Sequence, residues 1–253
     1  MAARPITLVT GASAGLGAEF VRQCAARGEE LVITARREDR LRALADEVGG
    51  RVHVIPADLS APDGPERLMA AIAAKGLMVG TLINNAGFGL SGSFAALPLD
   101  RQREMIDLNI RALTELCRRA VPEMKARGQG AILNVASTGA FQPGPHIAVY
   151  FATKAYVLSF SEALHQELKG SGIRVTALCP GPTRTEFAEV AGVTSKSFER
   201  FAASAEGVVK AGLAGLARNQ AVVIPGLTNK FTAQSSRFLP RALMRRIVAR
   251  IKL

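Results

Sequence analysis

Seven short runs of apolar, largely β-branched residues recur along this chain, and most lead through a turn into a stretch with helical spacing. They occupy residues 6–9, 30–35, 52–55, 80–83, 131–135, 173–178 and 221–224. Such runs, without polar alternation, read as strands buried on both faces. Strand–helix alternation from end to end points to an α/β fold, a doubly wound parallel sheet with helices on both faces. The chain has 253 residues, 48% of them hydrophobic, enough for one sizeable core. The expectation is a single domain of about seven strands over residues 1–226, then a basic extension over 227–253.

Ligands of open α/β sheets bind beyond the carboxyl ends of the strands, so the residues after each run carry the functional reading. After the first comes Thr10-Gly11-x-x-x-Gly15-x-Gly17, then helical spacing to about residue 27. These glycines allow a tight turn and bring a helix N-terminus, with its free N–H groups, close to a pyrophosphate. Ser13 adds a hydroxyl, although a plain strand–helix connection would use the same glycines. After the second run stand Arg36 and Arg37, where an NAD site carries an acid for the ribose 2′-hydroxyl. Two guanidiniums and no carboxylate suit a 2′-phosphate, hence NADP. The competing reading is the start of a solvated helix over residues 38–48. Asp58 can accept from an adenine amino group or cap the next helix, expected over 65–75, as can Ser60 or Asp63. Asn84-Asn85-Ala86-Gly87 follows the fourth run. Paired amides can tie neighbouring strands, and small residues let a cofactor lie against the backbone.

Asn109 falls in the middle of a helix expected over residues 100–127. Its amide competes for backbone groups, so it either distorts the helix and holds a water or is merely exposed. Ser137 ends the fifth strand region, and the loop 139–146 can carry the chain back to bring its hydroxyl beside Tyr150. Tyr150 and Lys154 stand four residues apart within 147–168, which contains no Pro or Gly, so a helix places both on one face. An ammonium one turn away lowers a phenol's pKa from its usual value of about 10 and makes it a tuned acid/base. Pro180-Gly181-Pro182-Thr183-Arg184-Thr185 then turns sharply, with hydroxyls that can hold a carboxamide.

Taken together, Thr10-Gly11-x-x-x-Gly15-x-Gly17, Asp58, Asn84-Asn85-Ala86-Gly87, Asn109, Ser137, Tyr150-x-x-x-Lys154, Pro180-Gly181 and Thr185 resemble the short-chain dehydrogenase/reductase family, classical type. The resemblance runs over about residues 6–224. It implies a Rossmann-like fold and an NADP-dependent oxidoreductase that transfers hydride between nicotinamide and a carbonyl or secondary alcohol. Tyr150 would be the general acid/base and Ser137 would hydrogen-bond the reacting oxygen. Lys154 would bind the nicotinamide ribose and lower the Tyr150 pKa, and Asn109 would hold a relay water. Gly11, Ser13, Gly15, Leu16, Gly17, Arg36, Arg37, Asp58, Leu59, Asn85, Ala86, Gly87, Tyr150, Lys154, Pro180, Gly181, Thr183 and Thr185 would form the cofactor site. A substrate lid is expected over 185–205, with Phe187, Val190, Val193 and Phe198, together with Phe88, Leu90 and Phe141, as apolar wall or core. The family also implies a homodimer or homotetramer through helices 100–127 and 147–168. A cofactor-binding sensor or scaffold with little turnover is the rival reading, and isomerase or dehydratase chemistry a weaker third.

The net charge of +11 is unevenly placed: from Gly207 onward there is no Asp or Glu against nine Lys and Arg. Residues 238–253 have the pattern of a basic amphipathic helix, which can lie on an anionic membrane surface or pack on protein. Nucleic-acid binding is not expected, because no aromatic platform interleaves with the charges. Three scattered cysteines and three scattered histidines show no metal-ligand spacing and fit a reducing cytoplasm.

Overall fold

The computed structural model describes residues 3–192, 202–236 and 238–250. Seven parallel strands, β1 (Arg4–Thr10), β2 (Leu31–Thr34), β3 (Val52–Val54), β4 (Leu77–Asn84), β5 (Gly130–Val135), β6 (Ile173–Leu178) and β7 (Val222–Val223), form one sheet in the order β3-β2-β1-β4-β5-β6-β7. The order reverses between β1 and β4, which opens a crevice at their carboxyl ends.

Alternate strand residues face opposite cores. Ile6, Leu8, Val32, Leu82 and Ile132 meet helices α3 (Gly64–Ala74), α5 (Leu113–Arg127) and α6 (Ala148–Glu167). Val9, Leu31, Ile33, Ile83 and Leu133 meet α1 (Gly15–Ala25), α2 (Glu38–Val48) and α8 (Ala205–Ala217). Burial on both faces is why these strands read as unbroken apolar runs. The strand expected to begin at Gly80 starts at Leu77 instead. Gly80 is the extra residue of a β-bulge between the Ile6–Val79 and Thr7–Thr81 pairs. A Cβ there would stand 2.9 Å from Pro5 Cβ, so the glycine that looked like a boundary permits the close approach of β1.

The helix expected over 100–127 is helical throughout but not uniform. Helix α4 (Leu99–Ile106) passes into a π-helical turn (Asp107–Ala112) centred on Asn109 and then into α5. Beyond Thr185, α7 (Phe187–Ala191) is the described part of the expected lid, and residues 193–201, with Val193 and Phe198, lie outside the described residues. The C-terminal extension forms α9 (Leu227–Ser235) and α10 (Arg241–Arg250). Met244 and Val248 of α10 are buried, so part of the apolar arc docks on the protein itself, while Leu227, Phe231 and Phe238 are exposed. No helix among the described residues is long and apolar enough to cross a membrane.

At the amino edge of the sheet the half-buried Glu30 stands beside His53 Nε2 at 2.9 Å, Arg4 Nη2 at 3.2 Å and Arg51 Nη1 at 3.5 Å. The His53 hydrogen bond, with help from the two arginines and against the effect of burial, holds its carboxyl below the ordinary 4.5. A lowered carboxyl pKa stabilises the fold above the unfolded-state value and loses that contribution as pH falls through the folded one. Glu30→Gln should therefore lower the thermal midpoint at pH 7, with the gap to the parent closing below about pH 4. Equal midpoints at pH 7 would show that the cluster adds nothing.

Candidate active site

The β1–α1 turn shows why its sequence is glycine-rich. Gly11 has φ +65°, and a Cβ on it would lie 2.8 Å from Ala86 Cα. A Cβ on Gly17 would lie 2.1 Å from the Gly11 carbonyl oxygen and 2.6 Å from Asn85 Nδ2, so α1 rests directly on the turn. Thr10 Oγ1 accepts from Asn85 N and Ala86 N, both at 3.0 Å, and Asn85 Nδ2 donates to the Thr10 carbonyl at 2.9 Å. Asn84 Nδ2 donates to Asn134 Oδ1 at 2.9 Å, and Asn134 Nδ2 to Ser161 Oγ at 2.9 Å. The paired amides thus tie β4 to β1 and β5, and the chain of bonds pins α6, which carries Tyr150 and Lys154, against the sheet.

Asn109 is the second anchor of α6. Its Nδ2 donates to the Phe88 carbonyl and to Thr153 Oγ1, both at 3.0 Å, and its Oδ1 accepts from Phe88 N at 3.2 Å. Thr153 Oγ1 donates to the Tyr150 carbonyl at 2.7 Å. The amide thus distorts the helix, as one of its two readings allowed, and the π turn is what reaches these partners. Such turns often mark functional sites.

Tyr150 and Lys154 are both buried on one face of α6. The Tyr150 ring lies 5.2 Å from that of Phe187 and 6.1 Å from that of Phe151, centroid to centroid. Lys154 Nζ donates to the Val135 carbonyl at 2.7 Å and stands 5.7 Å from the Tyr150 ring centroid. Burial draws the lysine's pKa down from 10.5 to about 8. Burial also raises the phenol's pKa well above its ordinary value, with Ser137 pulling the other way. The i,i+4 spacing led to the opposite expectation for Tyr150. Spacing gives proximity, but here desolvation of the phenolate outweighs it. Ser137 Oγ accepts from Gly139 N at 3.0 Å, capping the short helical turn Thr138–Phe141.

At the opposite end of the crevice the two arginines hold carboxylates from distant elements. Arg36 Nη1 meets Glu104 Oε1 of α4 at 2.7 Å. Arg37 donates to Ser13 Oγ from Nε at 3.3 Å and Nη2 at 3.2 Å, and its Nη1 meets Glu186 Oε2 at 3.2 Å. Arg40 Nη1 meets Glu186 Oε1 at 2.6 Å. Asp58 Oδ1 accepts from Ser60 N at 2.9 Å and from the Ser60 hydroxyl. Burial pushes this carboxyl up, but the Ser60 bonds prevail and keep it below its usual range. Asp63 stands at the N-terminus of α3 without a side-chain capping bond.

A cavity of about 1170 Å³ runs along the strand ends between the glycine turn and Tyr150. Among the expected cofactor residues, Gly11, Ser13, Gly15, Leu16, Arg36, Arg37, Asp58, Leu59, Asn85, Ala86, Gly87, Pro180, Gly181, Thr183 and Thr185 reach it, with Ser137, Tyr150 and Lys154. Gly17 and Asn109 do not; the first is packed beneath the turn and the second behind Phe88. Phe88, Phe187 and Val190 reach it too, whereas Leu90 packs beside Tyr150 and Phe141 in the main core. Leu227, Thr228, Asn229 and Thr232 of α9 also line it, so the extension set apart in the sequence completes the site. The roles of Thr153, Glu104 and Glu186 had no sequence signal; only the folded chain brings them to their partners. A glycine cradle, two arginines at the end of β2 and a volume above the roughly 300–1,000 Å³ of a small-ligand pocket fit a phosphorylated dinucleotide plus substrate.

A family profile described as short chain dehydrogenase matches residues 5–195. A sulfoacetaldehyde reductase of Chromohalobacter salexigens is 40% identical over 184 residues, 71% of this chain and 72% of that protein. The NADP-dependent 3-hydroxy acid dehydrogenase YdfG of Escherichia coli is 36% identical over 187 residues, 73% of this chain and 75% of that one. Among solved structures, a short-chain dehydrogenase from Sphingobium yanoikuyae in complex with NADPH superposes with a TM-score of 0.82 at 36% identity, covering 95% of both chains. The chain belongs to the short-chain dehydrogenase/reductase family. It is an oxidoreductase acting between C–OH and C=O groups.

Proposed function

We propose that this protein is an NADP(H)-dependent reductase of neutral, bulky, apolar ketones or aldehydes, with Tyr150 as its general acid. The observation that carries the reading is the placement of Ser137, Tyr150 and Lys154 on one cavity whose far end holds Arg36 and Arg37. The nicotinamide would supply the hydride. Gly11, Ser13 and Gly15 would receive the pyrophosphate at the α1 N-terminus, and Arg36 and Arg37 the 2′-phosphate. Ser137 would orient the substrate oxygen while Tyr150 gives it a proton. Burial raises the phenol's pKa in the cofactor-free protein, so the phenol is protonated and able to donate at neutral pH. Lys154, adjoining the phenol and held by the Val135 carbonyl, would bind ribose hydroxyls and relay the replacement proton. Asn109 acts as a positioning residue through Thr153 and Phe88. This complete set favours an enzyme over a sensor.

Around Tyr150 the cavity wall is Phe88, Ile147, Phe151 and Phe187, and Val190 and Leu227 add further apolar lining to the cavity. The cationic side chains lining the cavity among the described residues are Arg36 and Arg37 at its far end and Lys154, whose Nζ is engaged by the Val135 carbonyl beside Tyr150. Lys196 and Arg200 lie outside the described residues. The apolar side chains described on this wall give a sulfonate or carboxylate no hydrogen bond, whereas an apolar ketone gains from burial against them. NADPH oxidation should therefore be faster with alkyl aryl or cyclic ketones than with matched keto acids and sulfonated aldehydes. A clear preference for the anionic set would refute this substrate class. For the cofactor, Arg36→Ala should weaken NADPH by about 10-fold or more and NADH little, since each charged hydrogen bond is worth about 1.5–3 kcal/mol. Equal losses for both would remove the 2′-phosphate assignment.

We assign the assembly to a homo-oligomer through α4, α5 and α6, which leave Leu99, Ile106 and Tyr156 exposed. Sedimentation of the full chain as a monomer at micromolar concentration would refute it.

A further inference from the structure

Two adjacent residues face the two ends of the cavity. Glu186 bridges Arg37 and Arg40, at 3.2 and 2.6 Å, beside the expected 2′-phosphate position. Phe187, the next residue and the first of α7, lays its ring 5.2 Å from the Tyr150 ring, centroid to centroid. Its Cζ lies 3.0 Å from where a Gly89 Cβ would be, so the ring is wedged between Gly89 and the phenol. Tyr150 Cδ2 approaches the same Gly89 position to 3.2 Å, leaving little free space over the phenyl edge. The backbone between the two residues is short and braced: Phe187 N donates to Thr185 Oγ1 at 3.3 Å. The Glu186 contacts and the Phe187 ring thus sit on one short stretch of backbone at the start of α7.

We propose that Glu186 and Phe187 form a specificity pair that senses the cofactor's 2′-phosphate and reports it to the catalytic tyrosine. The proposal rests on the NADP reading above. Arg37 cannot serve Glu186 and a 2′-phosphate in the same direction, and a dianion next to the Glu186 carboxylate repels it. Glu186 then gives up Arg37, α7 shifts, and Phe187 leaves the phenol open to the carbonyl. A cofactor without the phosphate leaves Glu186 on both arginines and Phe187 over Tyr150. In this scheme the preference for NADPH is expressed in turnover as well as in binding. Both ion pairs are half exposed, with side chains 43–45% accessible, so the latch is weak enough to be opened by one ligand group.

The test needs no turnover. Adenosine 2′,5′-bisphosphate and adenosine 5′-monophosphate are titrated by calorimetry into the wild type, Glu186→Gln and Glu186→Asp. Loss of two exposed pairs should tighten the bisphosphate about 2–10-fold in Glu186→Gln and leave the monophosphate unchanged. Glu186→Asp, which keeps the charge, should stay near the wild type. Hydrogen exchange over residues 187–191 should speed up on adding bisphosphate to the wild type and should already be fast in Glu186→Gln. Bisphosphate affinity unchanged or weakened in Glu186→Gln, or exchange that ignores the ligand, overturns the latch. A wild type that binds the two nucleotides equally overturns the NADP reading as well, which separates the two failures.

Discussion

Tyr150→Phe is expected to lower turnover with NADPH by about 10²–10⁴-fold while leaving the fold and cofactor affinity nearly unchanged. The substitution removes one oxygen from a ring held by packing against Phe187 and Phe151, so the ring should keep its place. The hydroxyl it removes is the proton source in the proposed reduction. Because Tyr150 is buried, bulk water is poorly placed to stand in for it, and the raised pKa keeps the lost group fully protonated at neutral pH. Ser137→Ala should cost less, since Ser137 only orients the oxygen and also caps the turn at Gly139. A Tyr150→Phe enzyme within about fivefold of the parent would assign the proton to another group, well short of the loss general acid catalysis accounts for.

Lys154→Met should abolish most activity and change how the thermal midpoint of the cofactor-free protein responds to pH. The folded-state pKa of Lys154 is about 8 against an ordinary 10.5, so the unfolded chain binds more protons between those values. Below pH 8 the buried ammonium destabilises the fold by its full amount. That penalty fades as pH rises towards 10.5 and is gone above it. At about 1.4 kcal/mol per unit the penalty is roughly 3 kcal/mol, offset in the variant by loss of a charged hydrogen bond to the Val135 carbonyl worth about 1.5–3 kcal/mol. The two nearly cancel at pH 7, so the pH dependence rather than the neutral-pH midpoint carries the prediction. The readout is the trend: the midpoint of the variant relative to the parent should hold level up to about pH 8 and decline from there to pH 10. Midpoints that move in parallel would show that the lysine bears no such penalty. The stability given up at this position is the kind that functional sites exchange for activity.

The fold was legible because β1, β2, β4, β5 and β6 are buried on both faces and so carry continuous apolar runs. Each catalytic candidate follows a strand end or lies on the adjoining helix. What stayed hidden depends on contacts between distant residues. The bulge at Gly80 needs Pro5 on the neighbouring strand, and the π turn at Asn109 needs Phe88 and Thr153 as partners. The carboxylates on Arg36 and Arg37 come from 68 and 149 residues away, beyond any local pattern. The direction of the Tyr150 shift was missed for a related reason: helical spacing locates Lys154 but says nothing about how much water the fold removes. In α10, whose amphipathic pattern left membrane and protein contacts open, Met244 and Val248 are buried against the protein.

The most direct measurement follows a deuterium atom. NADPH deuterated at the transferable position of its nicotinamide ring is incubated with the enzyme and a neutral alkyl aryl ketone, and the alcohol is analysed by mass spectrometry. One deuterium is expected on the carbinol carbon of the product, with that product formed about 10²–10⁴-fold more slowly when Tyr150→Phe replaces the parent. An enzyme that binds NADPH but transfers no deuterium to any neutral or anionic carbonyl in the panel would contradict it and favour a cofactor-sensing protein on the same fold.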